Sequence, residues 1–279
     1  MDVCKRENLP LDHGYYRTIS PVYEKYLTTC NLKIQKLNNN KFGWIKNIFG
    51  LFQIAKFERV DEEPNIEELK KNGFKHGIVI WIPYTRCKNP TGWKNLWLNS
   101  HFTTTGFSII ENEFYYKKWK ERAIRARKKF LNNSDLRIEL VDTDIFQKYY
   151  KEAKISQPYK YDFMKYHKTI SSFDKQKDIK NMICFYNGQV VAGLSVIDYN
   201  NNSSAHLVSF LTNEGKTLQA GTGLIDFWFK NSFKNGLKYI NFDHLKDKYM
   251  GKDQQGYTDF KENFMDYKVL FEDSYFKII

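Results

Sequence analysis

Cysteine is scarce in this chain, with four in 279 residues, and the four (Cys4, Cys30, Cys87, Cys184) are widely scattered. No C-x-x-C pair or Cys/His cluster has metal-ligand spacing, which argues against a zinc module and a disulfide scaffold. Proline is also rare, at six residues, and no low-complexity linker interrupts the chain. No apolar run reaches the roughly 18 residues that a membrane span requires. No signal-like stretch opens the sequence, so a reducing cytoplasm is the expected location. A Ser-His-Asp arrangement has no linear support either.

What is abundant is aromatic and basic. Hydrophobic residues make up 42% and aromatics 17%, enough for an ample core and too many for a disordered chain. The formal net charge is +12. Such a field favours nucleic acid, phosphorylated ligands or an anionic membrane surface, although a generally lysine-rich composition also produces it.

Along the chain, "NLKIQKL" reads as a strand and Asn65–Gly73 as a short helix with acids in its first turn and Gly73 at its end. "HGIVIWIPY" is a buried strand closed by Pro83. The stretch from Lys41 to Phe57, "KFGWIKNIFGLFQIAKF", has two readings: a peripheral membrane contact, or core as a helix or a hairpin bent at Gly43 and Gly50. "ENEFYYKKWKERAIRARKKFLNN" reads as one long helix. Trp119, Ala123, Ala126 and Phe130 form its apolar stripe, and Lys118, Arg122, Arg125 and Lys129 a basic one. That basic stripe is either a phosphate-binding face or a solvated one.

The second half alternates more regularly. The order from residue 146 is helix, helix, three strands, helix, strand, helix, two strands. Asn187-Gly188 joins the first two strands, the pair a tight primed turn prefers. This pattern predicts an α/β fold with mixed sheets, divided softly near residue 145 into units 1–145 and 146–279. "LQAGTGLI" is expected to join a strand directly to a helix. Its glycines, Gly221 and Gly223, would either expose backbone N–H groups to an anion or allow close helix–sheet packing.

In "GYTDFKENF", Lys261 follows Phe260 and precedes Phe264 by three residues. It is either a surface charge beside core rings or a cation at the edge of an apolar pocket, aimed at an anion. His167 and His244, near these elements, read as hydrogen-bonded structural residues.

The order meander, "QAGTGL", helix, strand, helix resembles the GNAT N-acyltransferase fold. That family holds the pyrophosphate of acyl-CoA at this glycine turn, here Gln219, Gly221, Thr222 and Gly223. Its usual Arg/Gln falls on Leu218, with Gln219 one residue late. A second resemblance is to the Fem-type aminoacyl transferases, whose two halves are each GNAT-like. It rests on Phe242-Asp243, Gly256, Phe260, Lys261 and Phe264, and on the Arg-rich helix, and covers Phe107 onwards. It implies aminoacyl-tRNA as donor, a peptidoglycan precursor amine as acceptor and no cofactor. It also implies Lys261 as the group that stabilises the oxyanion. Phe260, Phe264 and Tyr257 would enclose the substrate, and Arg122 and Arg125 would meet phosphates. Asp243 would orient or deprotonate the amine, or cap its loop. The alternatives are an acyl-CoA-dependent N-acyltransferase of a small amine and a non-catalytic RNA-binding module.

Overall fold

The computed structural model describes residues 18, 20–37, 41–84, 90–96, 104–153, 160–173, 178–199, 202–245, 252–270 and 274–279. By contact the chain divides into two compact units: Gly14–Thr103 with Leu270–Ile279, and Thr104–Val269, with short N-terminal pieces shared between them.

The first unit holds α1 (Pro21–Thr29), β1 (Lys33–Lys36), β2 (Phe42–Ile48), β3 (Phe52–Glu58), α2 (Ile66–Lys71), β4 (Gly77–Ile82) and β5 (Lys94–Asn95). The strand Tyr275–Ile278, β13 in chain order, joins them, and the sheet runs β1-β2-β3-β4-β13-β5. Ser20 caps α1 by accepting from the Tyr23 amide (3.2 Å), and Asn65 caps α2 by accepting from Glu68 (3.1 Å). The α2 crossover makes β3 and β4 parallel. Ile45, Ala55, Phe57, Leu69, Phe74, Val79, Trp81 and Tyr275 form its core.

The Lys41–Phe57 stretch is therefore a hairpin and not a helix. Gly43 lies inside β2 under the Phe57 ring, and the bend is at Phe49-Gly50. Both bend residues have positive φ (52° and 73°), and the Leu51 amide donates to the Ile48 carbonyl at 3.2 Å. This is a turn of the primed kind.

The second unit contains β6 (Thr104–Ile109), a 3₁₀ turn (Tyr115–Lys118), α3 (Glu121–Leu131), β7 (Leu136–Val141), α4 (Thr143–Glu152) and α5 (Lys160–Ser171). It continues with β8 (Ile179–Tyr186), β9 (Gln189–Tyr199), β10 (Ser203–Leu211), α6 (Asn213–Thr217), α7 (Ala220–Lys234), β11 (Tyr239–His244), α8 (Lys252–Lys261) and β12 (Tyr267–Leu270). Its sheet runs β12-β6-β11-β10-β9-β8-β7. Met182 and Cys184 pack with α3 and α7, whereas Ile183 and Phe185 pack with α4. Burial on both faces explains the unbroken apolar run of β8.

Three expectations differ from this architecture. The position near residue 145 lies inside the second unit, because β7 pairs with β8 and α3 packs on α7. The last two strands separate, β12 staying in the second sheet while β13 enters the first. The long helix from Glu111 is broken at Trp119 and Lys120, both extended (ψ 157° and 145°). The break lets Tyr115 and Trp119 reach Phe229, at ring distances of 5.1 and 5.3 Å.

Candidate active site

In the second sheet β10 lies parallel beside β11, made possible by the α6–α7 crossover. Its ladder covers only Ser203–Ala205 against Tyr239–Asn241. Beyond it both strands become irregular in their antiparallel pairings, between His206 and Val208 and between Asn241 and His244. Asp243 sits in that irregularity at φ 57°, its amide donating to Asn241 Oδ1 (2.7 Å), while Thr105 Oγ1 donates to the Asp243 carbonyl (2.8 Å). Strands that part leave carbonyls facing the gap rather than each other.

Lys261 fills that gap from the end of α8. Its Nζ donates to the carbonyls of Phe242 (2.6 Å) and His244 (3.1 Å). The side chain is only 3% exposed and lies 4.3 Å from the centroid of the Tyr257 ring. Burial pulls its pKa down from 10.5 to about 7, with the Asp243 carboxylate opposing. The group therefore exists near neutrality as both ammonium and amine. As ammonium it has three donors, of which the two carbonyls take two.

Tyr257, a residue 40% exposed, stands with its ring over this lysine. Its hydroxyl meets His206 Nε2 at 2.6 Å. Burial, and then the Lys261 charge, hold His206 well below the usual imidazole range. A neutral His206 spares the lysine a second cation beside it. The sequence reading missed His206; its only signal is a histidine inside the apolar strand "SAHLVSF".

Phe260 and Phe264 meet edge to face at 4.9 Å, and Phe264 continues onto Trp119 (4.9 Å) and Phe242 (6.4 Å). Phe260 also touches the first turn of α7, where a Cβ on Gly221 would come within 3.2 Å of its ring. Lys261, Asp243, Tyr257, Phe260, Phe264 and Gly221 are thus gathered around one end of α8.

The other expected residues are placed differently. β10 does not run directly into the glycine turn: α6 intervenes, capped by Thr212 Oγ1 accepting from Gly215 (3.0 Å). Gln219, at φ 61°, precedes α7 and its Nε2 donates to the Lys216 carbonyl. Thr222 is buried, and a Cβ on Gly223 would lie 2.4 Å from the Phe130 ring, so Gly223 serves helix packing. Arg122 is tied to the α8 end, donating to Asn263 Oδ1 and to the Asp259 carbonyl (3.1 Å). Arg125 is exposed and pairs with Glu121 (2.5 Å), and Lys118, in the 3₁₀ turn, pairs with Glu111 (2.8 Å). The continuous basic stripe does not form. His167 is a structural residue as expected. It is buried between Gln147 (3.2 Å), Asn181 (3.1 Å) and Ser195 (3.0 Å), and burial lowers its pKa to about 4.

Among the described residues no group of three or more His, Cys, Asp or Glu is arranged to hold a metal, and no helix is long and apolar enough to cross a membrane. No family model and no curated protein matches the sequence. Solved structures do. A crystal structure of FemX superposes with a TM-score of 0.70 at 10% identity, covering 98% of this chain and 94% of that one. The fold is that of FemX. The C-terminal domain of a putative lysylphosphatidylglycerol synthetase from Agrobacterium fabrum superposes at 0.50, with 10% identity over 88% of this chain and 84% of that one. A conserved protein of unknown function from Bacteroides thetaiotaomicron reaches 0.50 at 11% identity, over 89% and 86%. The mixed α/β architecture expected from the strand order is the one found, with FemX similar along nearly the whole chain.

Proposed function

We propose that this chain is an acyltransferase of the Fem type, which moves an aminoacyl group from aminoacyl-tRNA to an amine of a peptidoglycan precursor. The observation that carries this reading is Lys261: a buried cation, with no salt bridge to a carboxylate among the described residues, held in the gap between two parting strands beside an aromatic enclosure.

In aminolysis, the precursor amine attacks the ester carbonyl and a C–N bond forms. The carbonyl oxygen becomes an oxyanion. Collapse breaks the bond to the ribose oxygen, which leaves with the proton lost by the amine. Lys261, as ammonium, donates to the oxyanion through the third N–H, which its two backbone carbonyls leave over. Phe260 and Phe264 keep water away and strengthen that interaction. Asp243, half-exposed at the strand irregularity, receives or orients the amine. This chemistry requires no cofactor.

An acyl-CoA donor would rely on the α7 glycine turn, but Gly221 faces Phe260 and Gly223 faces Phe130. That packing favours the tRNA ester. The deciding test measures thermal shifts with acetyl-CoA, uncharged tRNA and charged tRNA, followed by transfer with Lys261→Met. A ligand at a hundred times its Kd adds about 2.7 kcal/mol of stability, a readable shift. A larger shift with charged than uncharged tRNA supports the reading. A shift with acetyl-CoA alone replaces it with the N-acyltransferase, and binding of tRNA with no transfer replaces it with the RNA-binding module.

A further inference from the structure

The β2–β3 hairpin ends in two large apolar side chains that none of the described residues of its own unit covers: Phe49 is 95% and Leu51 83% exposed. The turn itself does not require an aromatic. The β8–β9 hairpin makes the same positive-φ pair with Asn187 (49°) and Gly188 (78°), residues suited to it. At the β2–β3 tip the first position is Phe49, at φ 52°, where a bulky residue is an outlier. Strain of this kind persists where the side chain has a use.

The surroundings indicate what meets it. From Lys41 to Phe57 the hairpin carries Lys41, Lys46 and Lys56 and no acidic residue. Lys41 and Lys56 are balanced by Asp61 and Glu58, whereas Lys46 is exposed nearest the tip. Beside the hairpin is a cleft of about 330 Å³, lined in part by Lys33, Lys46, Asn47, Gln53 and Asn72 and by no carboxylate. Apolar tips backed by cations and uncharged donors match the boundary of an anionic bilayer: acyl chains below, phosphates at the level of the lysines.

We infer that the β2–β3 hairpin is a membrane-docking element, inserting Phe49 and Leu51 into the surface of an anionic bilayer while Lys46 and the adjacent cleft meet lipid phosphates.

Vesicle flotation of the whole chain tests this, using phosphatidylcholine vesicles with and without phosphatidylglycerol. The unaltered protein is expected to float only with the phosphatidylglycerol vesicles, and less as salt rises. Phe49→Asn and Leu51→Asn are each expected to weaken flotation about tenfold, the effect of losing one buried apolar side chain. Phe49→Asn suits its backbone, so the thermal midpoint should hold or rise, which separates lost docking from lost fold. Flotation of the double variant equal to the parent, or no flotation of the parent at all, overturns the inference. So does a dimer of the parent that the tip substitutions dissolve, which would make the tip a protein contact.

Discussion

Lys261 costs the fold something, because it is folded away from water while still able to carry charge. Its pKa lies near 7 when folded and near 10.5 when unfolded, so between those values the unfolded chain binds the extra proton. Stability must then rise with pH across that window, by up to about 1.4 kcal/mol per unit from this group. Lys261→Met is expected to lose that contribution and to be more stable than the parent below pH 7; urea unfolding at several pH values reads it directly. The same substitution should lower transfer by about 10²–10³, the usual loss of one oxyanion donor. His167 has the same weakness in a more acidic window. Held near pKa 4, it withdraws stability as pH falls from about 6.5 towards 4, and His167→Gln should flatten that acid limb in the same titration. The interest of Lys261 was legible in its two flanking aromatics. His206, which meets the Tyr257 hydroxyl above that lysine, was not, because the two lie 51 residues apart and only the fold brings them together.

At the scale of elements, local chemistry carried far. The Asn187-Gly188 turn, the capped α2 helix and the buried runs of β4 and β8 were each written in adjacent residues. What failed needed a distant neighbour. One periodic pattern from Glu111 to Asn133 gave no warning of the break at Trp119, since the ring is claimed by Phe229 and Phe264 from α7 and from beyond α8. The α7 glycines read as close packing or as an anion cradle, and Phe130 and Phe260, which lie against them, favour packing. Gly223→Ala should accordingly destabilise the chain by about 1–3 kcal/mol through overpacking, measured by chemical denaturation. Gly50→Ala, in open space, should cost only the penalty of its left-handed backbone, about 1 kcal/mol.

Across the whole molecule, the chain leaves the first unit after Thr103 and returns to it at Leu270. The returning strand β13 lies between β4 and β5, with Tyr275 opposite both Trp81 and Asn95. No periodicity could announce that pairing, because nothing local distinguishes "SYFKII" from a strand of the nearer sheet. Tyr275→Ala should cost about 3–5 kcal/mol and loosen β4 in hydrogen exchange, while β8 and β9 keep their protection. The same insertion sets an order on biosynthesis. Roughly 180 residues separate β5 from the strand that completes its sheet, which at about 5–20 residues per second is on the order of ten seconds or more on the ribosome. Through that interval the nascent chain carries β4 with an open, apolar edge, the kind that seeks any passing strand. The growing polypeptide therefore has its period of greatest aggregation risk, and its greatest need of a chaperone, while the other unit is being made.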